Sequence, residues 1–231
     1  ASTRTDLSFQ AAMRHLGGEV VSASNGVQFS SIYKGENLAD TVRAVGCYAD
    51  VIVLRHPEVG SSYEAAYYLD LLRQQVMRQP VVISGGDGVG EHPTQALLDM
   101  FTIFDMKGRI DGLDITMVGD LRHGRTVHSL AKLIAIYGAQ DTTLNFVAPQ
   151  ELSMPANILS FLEGRGLTVN QTDNLYDVLG HTDVIYWTRV QEERFEDPAS
   201  YEAIKDRFIM TPPVLAQAKP DAILMHPLPR K

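Results

Sequence analysis

The order of its apolar runs constrains this chain more than any other feature. Eight runs of strand length fall at residues 19–23, 51–54, 81–84, 114–118, 143–147, 167–171, 184–187 and 222–225, and helical patterning fills most of the gaps. Strands that return through a helix lie parallel, and a parallel sheet needs both faces covered, so this order specifies an α/β fold. The helices carry their own marks. Residues 3–16 stop at Gly17-Gly18, the segment opened by Asn37 puts Leu38, Val42 and Val45 on one face, and residues 64–77 form a long amphipathic stretch. The pattern resets near a helix expected at 92–107, after which 108–112 supply turn residues. We therefore expect two doubly wound parallel-sheet domains, residues 1–98 with the first three strands and 99–231 with the last five. An active-site cleft is expected between them, at the carboxyl ends of both sheets.

A formal net charge of −8 removes any general electrostatic case for nucleic-acid binding, so the arginines must act locally. The single cysteine, Cys47, excludes an intrachain disulfide and fits a reducing compartment. No apolar run approaches the roughly 20 residues of a membrane span, and no signal-peptide pattern opens the sequence. The expected location is the cytoplasm, with neither membrane nor nucleic acid as partner. Ser2 begins a phosphate-type turn with no strand before it, and the run 222–225 leads into a loop with no closing helix after it. The sequence thus reads as the middle of a longer polypeptide.

Three phrases put cationic and hydrogen-bonding side chains where an anion would sit: Ser2-Thr3-Arg4-Thr5, His92-Pro93-Thr94-Gln95 and His226-Pro227-Leu228-Pro229-Arg230. The first N–H groups of a helix lack partners and its macrodipole is positive there, so residues 2–5 can offer backbone donors, hydroxyls and a guanidinium to one phosphate. Arg55, after the run 51–54, adds a second cation. Read alone, the first phrase is equally an ordinary N-cap with a surface arginine, and Arg55 a solvated loop residue. His92 follows the flexible-looking Gly85-Gly86-Asp87-Gly88-Val89-Gly90 and sits near a helix start, where the dipole favours a neutral ring able to donate to a carbonyl oxygen. A plain capping histidine is the alternative.

Residues 119–126, Gly-Asp-Leu-Arg-His-Gly-Arg-Thr, have the spacing of a P-loop with arginine in place of lysine. The lysine is absent and no strand-borne carboxylate for magnesium can be identified, so nucleotide binding is set aside, as is nicotinamide binding for want of a G-x-G-x-x-G after a strand. Arg125, with Arg189 and Gln191, instead suits the two carboxylates of a dicarboxylate, each guanidinium forming paired charged hydrogen bonds. Structural ion pairing is the competing role for both arginines. No histidine pair has metal-ligand spacing joined to a carboxylate, so neither metal nor other cofactor is expected.

Taken in order, with the run from Asp120 to Ser129 between the second and third, these phrases resemble the aspartate carbamoyltransferases, which join carbamoyl phosphate to L-aspartate in pyrimidine synthesis. The resemblance covers nearly the whole chain. It implies that Ser2, Thr3, Arg4, Thr5 and Arg55 hold the phosphate, that Thr5, Arg55 and His92 contact the carbonyl oxygen, and that Gln95 holds the carbamoyl amide. Residues 30–36 resemble the family's mobile loop, which implies that Ser30 and Lys34 enter the site of a neighbouring subunit in a homotrimer; alone, Lys34 is a solvent-facing charge. Arg125, Arg189 and Gln191 match residues that bind aspartate, and the Pro227-Leu228 backbone matches the part that positions its amine. Pro227 stands where ornithine carbamoyltransferases have cysteine, so aspartate is preferred.

Three departures accompany the resemblance: Asp6 where arginine is usual, a longer stretch at 61–79, and Ser84-Gly85 in place of Asn-Ala. Regulatory chains and fused pyrimidine-pathway domains stand open as partners. A non-catalytic scaffold or effector sensor, and a sister enzyme using another amino acid, stand as alternatives.

Overall fold

In the computed structural model, residues 3–23, 35–76, 80–88, 90–189 and 209–228 are described. The chain divides into two compact units, 1–92 and 93–231. The first contains α1 (Thr3–His15), α2 (Leu38–Gly46), β1 (Val51–His56), α3 (Ser61–Val76) and β2 (Val81–Asp87). The second contains α4 (Pro93–Lys107), β3 (Asp114–Val118), α5 (Arg125–Tyr137), β4 (Thr143–Val147), α6 (Ala156–Glu163), β5 (Thr168–Thr172), α7 (Tyr176–Leu179), β6 (Val184–Trp187), α8 (Pro212–Leu215) and β7 (Ile223–Met225).

Within the first unit β1 and β2 pair in parallel, with Val51 opposite Val81 and His56 opposite Asp87. Val42, Ala65, Leu69 and Leu72 form the small core, against which Ile52, Leu54 and Val82 pack. Asn37 caps α2, its side-chain oxygen accepting from the Asp40 N–H at 2.8 Å. Two expectations fail in this unit. The run at 19–23 is not a strand: Val21 is 93% exposed, and no ladder among the described residues includes it. Two valines between glycine, glutamate and serine supply too little apolar surface without a pairing edge. The glycine-rich approach to His92 is also less flexible than its composition suggests, because Gly85, Gly86 and Asp87 belong to β2 and are buried.

The second unit is built around a five-stranded, all-parallel sheet in the order β5-β4-β3-β6-β7. Alternating side chains point to opposite faces. Ile115, Met117, Val184 and Tyr186 join one core with Ile103, Leu130 and other buried residues, while Val118, Ile185 and Trp187 join another with Val178 and Leu179. Helices therefore cover both faces, as a doubly wound sheet requires. A buried polar strip crosses the three strands β3, β4 and β5. The Thr116 and Thr182 hydroxyls lie 2.6 Å apart, the Asn145 amide donates to Thr116 at 3.4 Å, and Asn170 donates to Asn145 at 3.0 Å. Each buried group here has a partner, so breaking one link would leave another unsatisfied, at about 1–3 kcal/mol.

Ion pairs tie the sheet to its loops. Lys219 lies 2.8 Å from Asp183, whose other oxygen accepts from the Asp114 N–H at 2.9 Å. Burial alone would raise the Asp183 carboxyl, but the hydrogen bonds and charge of Lys219 and the Asp114 N–H outweigh it, and the net direction is down. Lys107, in the last turn of α4, pairs with Asp221 at 3.0 Å ahead of β7.

Candidate functional site

In the first unit, the site grows from the carboxyl end of β1. Arg55 emerges there, and its guanidinium donates to the Thr5 hydroxyl at 3.3 Å and to the Gly85 carbonyl at 3.0 Å. One cation thereby joins three segments: the first turn of α1, the end of β1 and the end of β2. Thr3, Arg4 and Thr5 occupy that first turn of α1, and Arg4 is exposed. Asp6, the departure from the usual arginine, accepts from the Gln10 amide at 2.9 Å, one turn along the helix.

Asp87 holds the neighbouring loops together. Its carboxylate accepts from the Gly60 N–H at 2.9 Å, at the start of α3, and from the Glu91 N–H at 2.8 Å, immediately before His92. Gly88 must be glycine in this arrangement, since its φ is +59° and an added Cβ would lie 1.9 Å from the Pro57 carbonyl oxygen. Ser84 takes over a local role of its own, its hydroxyl accepting from the Gly86 N–H at 3.3 Å. His92 is half-buried and directly precedes Pro93, the first residue of α4. Proline suits that first position, having no N–H to leave unsatisfied.

In the second unit, the strand order reverses between β3 and β6, and the crevice outside their carboxyl ends is where an open α/β sheet binds ligands. The loops leaving those ends carry the sequence motifs. After β3, Asp120 is fully buried and accepts from the His123 backbone N–H at 3.0 Å, and its carboxylate lies 3.1 Å from the His123 ring. His128 holds the Leu121 carbonyl at 2.7 Å. These contacts shape the turn that leads to Arg125 at the start of α5. After β6, Thr188 donates from both its N–H and its hydroxyl to the Val118 carbonyl, each at about the same distance, 2.8 and 2.9 Å. That clamp fixes the backbone immediately before Arg189. Gly119 permits it: φ is +115°, and a Cβ there would lie 2.3 Å from the Thr188 carbonyl oxygen.

β7 runs beside β6 and ends at Met225, immediately before His226. The Leu228 N–H donates to the His226 Nδ1 at 2.8 Å, and Leu228 adopts φ +59°, a left-handed conformation seldom used by a leucine. Strained backbone of this kind is concentrated at functional sites. Arg125, Arg189, Pro227 and Leu228 thus leave adjacent parallel strands at the same sheet edge. Ser2, Ser30, Lys34 and Gln191 lie outside the described residues.

Gln95 has the most developed surroundings. In the first turns of α4, its Nε2 donates to Asp99 Oδ1 at 2.9 Å, and the Tyr186 hydroxyl donates to Asp99 Oδ2 at 2.7 Å. Asp99 is 3% exposed and Tyr186 fully buried. Burial pushes the Asp99 carboxyl up to about 6, against the lowering effect of the hydrogen bonds from Tyr186 and Gln95. Burial, then the charge and hydrogen bond of Asp99, hold the Tyr186 phenol well above its ordinary range, and Thr126 also hydrogen-bonds that oxygen.

Sequence reasoning missed Asp87, Asp99, Asp120 and Tyr186. One of these had a readable signal: Gln95 and Asp99 stand at i, i+4, where helical side chains meet. Tyr186 lay unmarked inside an apolar strand pattern. Among the described residues, no group of three His, Cys, Asp or Glu side chains is placed to hold a metal ion, and no helix is long and apolar enough to cross a membrane.

Residues 1–105 match the family model of the aspartate/ornithine carbamoyltransferase carbamoyl-P binding domain, and residues 111–231 that of the Asp/Orn binding domain. The chain is 50% identical over 229 residues to the multifunctional protein CAD of Squalus acanthias, covering 99% of this chain and 10% of that protein. It is 47% identical over 230 residues to the aspartate carbamoyltransferase catalytic subunit of Methanocella arvoryzae, covering 99% of this chain and 70% of that subunit. Among solved structures, aspartate transcarbamoylase from Trypanosoma cruzi in complex with carbamoyl aspartate and phosphate matches with a TM-score of 0.84 and 42% identity, over 100% of this chain and 70% of that one.

Proposed function

The chain belongs to the aspartate/ornithine carbamoyltransferase family, and from that membership we propose that it transfers the carbamoyl group of carbamoyl phosphate to the amine of L-aspartate. The observation that carries the proposal is the convergence of Thr5 and Arg55 on one point, 50 residues apart in sequence and joined at 3.3 Å. A hydroxyl and a guanidinium held together at a helix start suit a phosphate and the carbonyl beside it. Similarity to a structure named for its complex with carbamoyl aspartate and phosphate supports the same pair of products. Pro227, in place of the cysteine of ornithine enzymes, favours aspartate.

In this reading, residues 1–98 hold carbamoyl phosphate and 99–231 hold aspartate. Ser2, Thr3, Arg4, Thr5 and Arg55 bind the phosphate, and Thr5, Arg55 and His92 donate to the carbonyl oxygen. Gln95 accepts from the carbamoyl amide. Arg125, Arg189 and Gln191 grip the carboxylates, while the backbone at Pro227 and Leu228 positions the amine. The neutral amine attacks the carbonyl carbon, a C–N bond forms, the C–O bond to phosphate breaks, and the amine proton leaves with the phosphate. Negative charge gathers first on the carbonyl oxygen, and removing one donor to it lowers the rate by about 100–1000-fold. Holding both reactants in register supplies up to roughly 7–11 kcal/mol more. Ser30 and Lys34 reach the site from a neighbouring subunit, which makes the working unit a homotrimer in the cytoplasm. The likeness to a multifunctional protein supports a chain that works beside fused domains.

The test is formation of carbamoyl aspartate by the full-length protein, with ornithine as control and His92→Ala as variant. Turnover with aspartate, reduced by orders of magnitude in the variant, is expected. An assembled, folded protein that turns over neither amino acid refutes the proposal.

A further inference from the structure

Gln95 is chemically ambiguous in a way the surrounding residues resolve. A primary amide presents a donor on one side and an acceptor on the other, and the two differ only by a flip about the last side-chain bond. The group it faces in a carbamoyl phosphate is itself an –NH2, a donor. Only the carbonyl oxygen of Gln95 can receive it. A glutamine free to flip would offer the wrong face about as readily as the right one.

We propose that Asp99 is a positioning residue that locks Gln95 with its Nε2 inward and its Oε1 toward the ligand, and that Tyr186 holds Asp99 in place, so that this buried pair sets the preference for a carbamoyl over an acyl phosphate. An ionised carboxylate can only accept, so the Gln95 atom 2.9 Å from Asp99 Oδ1 is the donor nitrogen. The second oxygen is saturated by the Tyr186 hydroxyl at 2.7 Å, which stops the carboxylate from rotating away. Tyr186 is anchored in turn by its buried position in the centre of β6 and by Thr126, the residue after Arg125. The chain of contacts therefore runs from Gln95 on α4, through β6, to the first turn of α5. All of its members belong to one compact unit.

Asp99 is ionised above a pH of about 6, so the lock is set under neutral conditions. No other described acid or base is hydrogen-bonded to Asp99 besides Tyr186. Asparagine at 99 would break the logic with almost no change of shape. Its amide can donate to Gln95 as well as accept, so Gln95 would take both orientations and lose its acceptor bias.

The inference rests on the carbamoyl-transfer reading, and the test separates the two. Acetyl phosphate has a methyl group in place of the –NH2, with the same phosphate and carbonyl. Binding of carbamoyl phosphate and acetyl phosphate to the full-length protein is measured by calorimetry for the unsubstituted enzyme, Asp99→Asn and Tyr186→Phe. The unsubstituted enzyme is expected to prefer carbamoyl phosphate. In Asp99→Asn that preference falls by about tenfold, the scale of one oriented hydrogen bond, while acetyl phosphate affinity stays the same. Tyr186→Phe, which keeps the ring, moves the ratio in the same direction by less. A purely structural role lowers both affinities together, so an unchanged ratio in Asp99→Asn overturns the inference and leaves the transferase reading intact. No preference in the unsubstituted protein also overturns the inference, whereas failure to bind either phosphate, with no turnover of aspartate, overturns the transferase reading.

Discussion

Asp99 should make this protein's stability respond to pH in the sense opposite to most carboxylates. Its carboxyl is raised from 3.8 to about 6, so the folded state keeps the proton through a range where the unfolded chain has lost it. A group with a raised folded value contributes fully below the unfolded value and loses that contribution as pH rises through the folded one. The difference of about 2 units corresponds to about 3 kcal/mol at roughly 1.36 kcal/mol per unit. Because Asp99 is 3% exposed, solvent screening removes little of it. Asp99→Asn cannot ionise, so comparing it with the unsubstituted protein isolates this one titration. Asp183 and Asp221, both shifted downward, are present in both proteins and cancel. Urea titrations followed by the fluorescence of Trp187, the only tryptophan in this chain and the neighbour of Tyr186 on β6, report the relevant unit. The stability of the unsubstituted protein relative to Asp99→Asn should fall by up to about 3 kcal/mol between about pH 4 and pH 7. Parallel pH profiles would falsify the reasoning, because Asp99 would then titrate as an ordinary aspartate.

Two other substitutions test the frame around the site. Gly119→Ala places a Cβ 2.3 Å from the Thr188 carbonyl oxygen at φ +115°, so denaturant unfolding should show a loss of about 1–3 kcal/mol; a neutral effect would mean the clamp before Arg189 can yield. Lys219→Met removes the partner of Asp183, whose carboxyl is held below 3.8, so the variant should be destabilised above about pH 4 and converge with the unsubstituted protein as pH falls through the folded value. A deficit that persists at low pH would assign the effect to lost packing instead.

Most of the second unit was legible because its strands are dense in apolar residues and are punctuated by turns. The runs at 114–118, 143–147 and 184–187 appear at those bounds in the sheet. The run at 19–23 misled because an apolar pair resembles a strand locally, while a strand exists only through its neighbour. Glycines at 85 and 86 misled in the other direction. Their composition suggests a flexible link, yet they lie in β2, where an added Cβ on Gly85 would sit 3.3 Å from the Arg55 Cβ and 3.4 Å from the Leu54 carbonyl oxygen.

The site divides along the same line. The residues proposed to meet a ligand announce themselves by type and spacing at strand ends, as Arg55, His92 and Arg125 do. Residues that aim them do not, because their partners are brought by the fold from far along the chain: Tyr186 reaches Asp99 across 87 positions, and Asp87 reaches Gly60 across 27. Both are ordinary members of a strand until the sheet forms. A buried carboxylate at a helix face is costly unless it is hydrogen-bonded, so its presence signals a constraint on its partner. Asp99 occupies such a position, and the constrained partner is Gln95. The sequence displays the donor set in its loops, while the orientation of that set is stored in the core.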